Sequence, residues 1–236
     1  MLHEFRYNGR SSREMGIYIG NRSGLDMARR STEKIDVPGR NGAVIIDNGS
    51  YENMTITYHA LLDHREFSSA AEHLRKVKLW LSGNLGAYGR LTDTYDVDVY
   101  RMAAYIDLLN IKRQNSDFCE CDIKFDAKPL RYLKSGDRTV RISGSTALYN
   151  PTNQPAKPLI DVYGSGDITM DVNGTAYTLK GLTGHMMIDC EEMTAYDGVT
   201  SLNRKISGFP ELRAGSNTIS VSGALTAEII PRWASL

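Results

Sequence analysis

Glu33 to Ala60 reads EKIDVPGRNGAVIIDNGSYENMTITYHA, and its pattern is strand, tight polar loop, strand, second loop, strand. Ile35 and Val37 fall on one face of an extended chain, with Lys34 and Asp36 on the other. Val44, Ile45 and Ile46 favour a strand after the loop, and Met54, Ile56, Tyr58 and Ala60 alternate with Thr55, Thr57 and His59. Between the first two runs lies Pro-Gly-Arg-Asn-Gly, in which Gly39, Asn41 and Gly42 accept the positive φ that a hairpin end demands. No helix opens after it and no lysine follows its glycines, so it is a turn and not a phosphate cradle.

Outward from this stretch the period of two persists. FCECDIKFDA sets Cys119, Cys121, Ile123, Phe125 and Ala127 on an inner face and Glu120, Asp122, Lys124 and Asp126 outside. Further strands are expected at 139–143, 158–164, 168–179, 185–190, 217–223 and 225–230, with Asn173-Gly174 as a two-residue hairpin turn. Gly164–Asp167 is read as a turn between strands, and Asp96 and Asp98 as outward positions of one. One segment, 69–82, has helical spacing. Ser69 and Glu72 form a capping box, Gly83 supplies a stop, and Ala71, Leu74, Val77, Lys78 and Leu81 make the stripe. Arg75, Lys76 and Lys78 are its solvated side. The strand pattern breaks within 128–138, and 149–158 holds three of the seven prolines. The expected fold is therefore mainly β in two domains: 1–130, β-rich with one packed helix, and 131–236, a strand-dense sandwich.

Composition narrows the function. Hydrophobic residues make up 41% of the 236, enough for a core, while Lys+Arg and Asp+Glu both number 28 and balance within each half. Neither domain is an electrostatic magnet for nucleic acid or an anionic membrane. No apolar run approaches the ~20 residues of a spanning helix, and the opening MLHEFRYNGR has no signal-peptide core, reading as a mature start. Three cysteines argue against a disulfide framework and for synthesis in a reducing cytoplasm. The histidines lack HExxH spacing, no cysteines stand as CxxC, and no serine lies in a GxSxG elbow. Cys119 and Cys121 continue into Ile123 and Phe125, as small core residues do. Asp93, Asp96 and Asp98 miss the EF-hand spacing. No catalytic residue, metal or cofactor is expected.

Taken in order, YNGRSSREMGIYI (7–19), the 33–60 stretch, AAEHLRKVKLWLSG (70–83) and RLTDTYDVDVYRMAAYI (90–106) resemble the N-terminal domain of the distal tail proteins of long-tailed, non-contractile bacteriophages. KPLIDVYGSGDITMDVNG (157–174) and GFPELRAGSNTISVSG (208–223) are similar to the galectin-like β-sandwich that ends such proteins. The resemblance implies an N-terminal β-sandwich or barrel with one helix, a six-fold ring of identical copies, and a place at the virion tail tip after assembly in the host cytoplasm. It implies as partners the tail tube protein, the tail-tip hub, and receptor-binding or baseplate proteins, with no membrane and only transient passage of DNA.

A hairpin edge carries free N–H and C=O groups that a neighbouring copy can pair with, and a closed ring leaves no edge unpaired. Ile35–Val37 and Val44–Ile46 are accordingly expected to be the arms of an inter-subunit clasp, with Arg40 and Asn41 at its tip. The alternative is a carbohydrate-binding module. Trp80 and Trp233 lack a WxxExR context, which leaves Tyr163, Tyr177 and Tyr196 as a stacking platform. An enzyme and a filament-forming tube subunit are the remaining rivals.

Overall fold

The computed structural model describes residues 3–24, 27–83, 86–106, 109–115 and 117–236. The chain separates into two compact units, Met1–Arg131 with Leu236, and Tyr132–Ser235. Both are built mainly from antiparallel strands.

In the first unit the main sheet runs in the order Arg10–Ser11, Phe5–Tyr7, Gly89–Asp93, Val99–Tyr105, Phe118–Leu133, Met54–Asp63, Ile17–Ser23. Its spine is the ladder from Phe118↔Asp63 to Ala127↔Met54. The alternation read from the sequence places Cys119, Cys121, Ile123, Phe125 and Ala127 at 0–2% exposure. Directly opposite stand Leu62, Ala60, Tyr58, Ile56 and Met54. Phe5 lies between the rings of Tyr58 and Trp80, with centroids at 4.7 and 5.6 Å, and meets the edge of Phe125 at 5.5 Å. Each such ring contributes about 1.5–3 kcal/mol by leaving water, and this aromatic stack is the centre of the unit. The strand reaches Leu133, further than the break expected from the sequence, before the short 3-10 turn Lys134–Asp137.

The helix Ala70–Ser82 begins where expected, because the Ser69 side chain accepts the Glu72 N–H at 3.2 Å. Glu72 reaches Lys76 at 2.8 Å one turn on. Its buried face differs from the expected stripe. Ala71 and Lys78 are exposed, whereas His73, Val77 and Leu81 are buried and Leu74 and Trp80 pack beside them. The histidine explains the rotation. Its Nε2 lies 2.6 Å from the Met15 carbonyl oxygen, which can only accept, so Nε2 carries the proton. Nδ1 is then a lone pair and takes the Nδ1–H of His64 at 2.8 Å. His64 Nε2 is left as a buried acceptor without a protein partner. Phe67 stacks on His73 at 3.8 Å. Gly16, at φ +66°, passes so near that a Cβ would lie 3.1 Å from His73, Phe67 and the Asp63 carbonyl.

The second unit is a sheet in the order Val140–Ile142, Gly215–Ile230, Leu159–Val172, Thr175–Asp189, Thr194–Asp197, Thr200–Ser201. Asn173 and Gly174 turn the middle hairpin with φ of +54° and +85°, as the dipeptide predicts. Ile160, Val162, Ile168, Met170, Leu179, Met186, Ile188, Ile219 and Ile229 are fully buried in one cluster. Gly164–Asp167 is not a turn: Leu159–Val172 is continuous, with a register shift between Gly166 and Ile168. The segments 217–223 and 225–230 likewise form one strand, Gly215–Ile230, bent at Gly223, where φ is +85°. A Cβ there would meet the Asp167 carbonyl at 2.9 Å. These glycines let long strands bulge and bend without breaking the sheet.

Candidate assembly interface

Arg30–Ile35 and Val44–Tyr51 pair as a two-stranded sheet of their own, separate from both larger sheets. The register is Ile35↔Val44, Lys34↔Ile45, Glu33↔Ile46 and Thr32↔Asp47, with an irregularity between Arg30 and Thr32. Opposed residues share a face, so Ile35, Val44 and Ile46 gather with Glu33 on one side, and Ile45 with Lys34 on the other. Val37 lies outside the strand, in the loop, where its carbonyl accepts the Arg40 N–H at 3.1 Å. Arg40 and Asn41 sit exposed at the tip. Gly39 and Gly42 both take φ +81° with open space where a Cβ would stand, so backbone conformation and not crowding selects glycine.

No residue from Arg30 to Tyr51 is buried. Ile35 is 40% exposed, Val37 42%, Ile45 62% and Ile46 43%. The hairpin is held internally by Arg30, whose Nε lies 3.0 and 2.9 Å from the two Asp47 oxygens and whose Nη1 donates to Tyr51 Oη at 2.8 Å. That guanidinium holds the Asp47 carboxyl below its ordinary range. Asn48 donates to the Ser31 hydroxyl at 3.1 Å. Such exposed pairs contribute little, and a lone two-stranded ribbon is marginal in water. The sequence showed the hairpin and its apolar arms. Its separation from the larger sheets was invisible there, because alternation gives a strand's faces and not its edge partners.

Elsewhere the candidate chemistry dissolves into structure. Asp96 and Asp98 lie in the loop between Gly89–Asp93 and Val99–Tyr105, not on a strand. The Asp93 side chain, 6% exposed, takes the Tyr58 hydroxyl at 2.7 Å and Arg22 Nη1 at 2.5 Å. Cys119, Cys121 and Cys190 are buried free thiols, and burial pushes the last two up to about 12, where little nucleophilic thiolate exists at neutral pH. Among the described residues no three His, Cys, Asp or Glu side chains gather to hold a metal ion. The three tyrosines make no common platform: Tyr177 packs against the core, while Tyr163, 46% exposed, leans on His185 at 4.6 Å. His185 bridges Asp161 at 2.7 Å and Asp197 at 2.9 Å, and the Asp197 bond leads in raising its pKa. Tyr196 is half-buried on the neighbouring strand Thr194–Asp197.

Solved structures share this fold along nearly the whole chain. The Dit protein of phage SPP1, described as a paradigm of the hub adsorption apparatus in phages infecting Gram-positive bacteria, superposes with a TM-score of 0.68 at 13% identity, covering 97% of this chain and 98% of its own. The fold is the Dit fold. The phage P2 baseplate in its activated conformation with Ca gives a TM-score of 0.56 at 12% identity, covering 97% of both chains. Its counterpart with Sr gives 0.55 at 11%, covering 97% and 96%. No sequence-family profile matches the chain, and no curated protein matches it by sequence. The Dit fold thus persists here at identities where individual side chains have been almost wholly replaced.

Proposed function

We propose that this chain is a structural component of a phage tail tip, a Dit-type connector whose copies close into a six-membered ring through the Arg30–Tyr51 hairpin. The single observation that carries this reading is the hairpin itself: a β-ribbon with no buried residue, free outer edges, and four large aliphatic side chains in water. An adjacent copy can pair those edges and cover Ile35, Val44 and Ile46 on one face, with Arg40 and Asn41 leading the tip into contact. Closure then removes every open edge, which a filament cannot do. The fold shared with Dit and baseplate proteins supports the same role.

In this reading the first unit, 1–131, builds the ring. The assembly joins the tail tube to the tip hub and its receptor-binding proteins, sits in the virion after assembly in the host cytoplasm, and leaves an axial path for DNA. The equal numbers of basic and acidic residues suit a conduit, since many phosphate contacts would retard the passing duplex. The role needs no catalysis. A double proline variant, Val44→Pro with Ile46→Pro, tests the clasp by negative-stain microscopy. Folded particles without rings are expected, and rings of unchanged size would refute it.

A second reading rests on Tyr163, which offers half of its surface beside His185 and Asp161 on the outer face of the second unit. An aromatic face next to charged groups is what a sugar ring stacks upon. A glycan array separates the two, because a connector gives no signal.

A further inference from the structure

Four Asn-Gly pairs stand in the chain: Asn8-Gly9, Asn41-Gly42, Asn48-Gly49 and Asn173-Gly174. Asparagine before glycine carries a chemistry of its own. The glycine amide nitrogen, with no side chain beside it, can attack the asparagine Cγ and close a succinimide ring. Closure needs free rotation about the asparagine's Cα–C and Cα–Cβ bonds, and an amide nitrogen that is not already held by a partner.

The fold withholds these conditions at three of the pairs. Asn8 and Gly9 form the tight turn across which Tyr7 and Arg10 pair, and Asn8 is fixed at φ +50° with its N–H on the Arg90 carbonyl at 3.1 Å. Its Oδ1 lies so close over Gly89 that a Cβ there would stand 1.9 Å away. Gly49 donates its N–H to Asp47 Oδ1 at 2.8 Å, and Asn48 donates to the Ser31 hydroxyl at 3.1 Å. Asn173 is held hardest. Gly174 donates its N–H to Asp171 Oδ1 at 3.0 Å, while Asn173 Oδ1 accepts the Thr218 N–H and its Nδ2 donates to Asn217 Oδ1, both at 2.9 Å.

Asn41-Gly42 has none of these restraints. It lies in the loop 36–43, beyond the last ladder pair Ile35↔Val44, and the bond from Arg40 N–H to the Val37 carbonyl leaves it out. Among the described residues neither the Asn41 side chain nor the Gly42 N–H has a hydrogen-bond partner. Both residues are exposed, and nothing lies within 4 Å of where a Gly42 Cβ would stand.

We propose that Asn41 is the site at which this chain deamidates spontaneously. The Gly42 nitrogen gives its proton to solvent base and bonds to Asn41 Cγ. The Cγ–Nδ2 bond breaks, and the nitrogen leaves as ammonia with a proton from water. Water then opens the imide at either carbonyl, giving aspartate or isoaspartate at position 41. Either product sets a new carboxylate beside Arg40. The isoaspartate form also runs the backbone through the former side chain, lengthening the hairpin tip by one methylene. The reaction belongs to the single chain, so it stands whether or not the hairpin clasps a neighbour.

The test is peptide mapping of the full chain, aged as single copies at mildly alkaline pH. A protease that cuts before aspartate releases Asn8 in 1–25, Asn41 in 36–46, Asn48 in 47–62 and Asn173 in 171–188. Each lost amide adds about 1 Da and one negative charge, and the aspartate product alone opens a new cut before position 41. Asn41 should convert about tenfold or more faster than Asn173, whose hydrogen bonds must open first. In concentrated urea, with the fold gone, the four should convert at similar rates. Native Asn41 converting no faster than the other three would overturn the proposal. So would the native ranking persisting in urea, which would trace it to local sequence and not to the fold.

Discussion

Lowering the pH from about 7 to about 5 should loosen the first unit through one identifiable pair, His64 and His73. Both rings are buried and neutral, and burial holds both pKa values below the ordinary imidazole range. A proton on His73 Nδ1 breaks the 2.8 Å bond to His64, and a proton on His64 Nε2 puts charge where no partner waits. Asp63 favours the charged forms, while Lys76 and the second histidine oppose that of His73. The unfolded chain titrates near pH 6.5, so the pair's contribution is complete above that value and falls as the pH drops below it. A histidine kept neutral in the fold down to pH 5 would lose about 2 kcal/mol over this interval, so about 4 kcal/mol is the ceiling for the pair. Carboxylates held low, such as Asp63 at about 2, remain charged throughout and do not confuse the window. His185 works oppositely, because its raised pKa adds stability as the pH falls, but it belongs to the second unit. Hydrogen exchange resolved by peptide separates the two. Amides of Ala70–Ser82 and Met54–Asp63 should lose protection between about pH 7 and pH 5, after correction for intrinsic rates. Unchanged or rising protection there would refute the tautomer assignment and its energetic consequence.

Other substitutions follow from the same contacts. Phe125→Ala removes the ring at the centre of the aromatic stack and should destabilise the first unit by about 3–5 kcal/mol in urea unfolding. Gly223→Ala forces a Cβ to within 2.9 Å of the Asp167 carbonyl at φ +85°, and should lower the second unit's stability by about 1–3 kcal/mol. Gly42→Ala, in open space at φ +81°, carries the conformational strain alone and should change stability less than Gly223→Ala. Cys121 and Cys190 should resist thiol-labelling reagents in the native chain and react on denaturation.

How far the sequence could be read depended on which physical signal each element carried. The inner face of 119–127 was plain because burial on one side of a strand leaves every second residue apolar. The helix start was plain because Ser69 and Glu72 satisfy orphan N–H groups by local chemistry. The helix face was misplaced because His73 reads as polar, although two hydrogen bonds let it lie in the core. Gly164–Asp167 looked like a turn because glycine permits both a reversal and a bulge, and only pairing with Thr175–Asp189 and Gly215–Ile230 chooses between them. Asp96 and Asp98 alternated with valines by coincidence of spacing inside a loop.

Whether identical copies close into a ring is read from the mass of the assembled particle. Mass photometry of the purified full chain should give a species of about 158 kDa, six copies of the 26.3 kDa chain, in equilibrium with a single-copy species on dilution. Removing the hairpin tip, residues 36–43, should leave the 26 kDa species alone with its sheet intact. A chain that stays single at every concentration, or one that keeps its six-copy mass without the tip, would contradict the account.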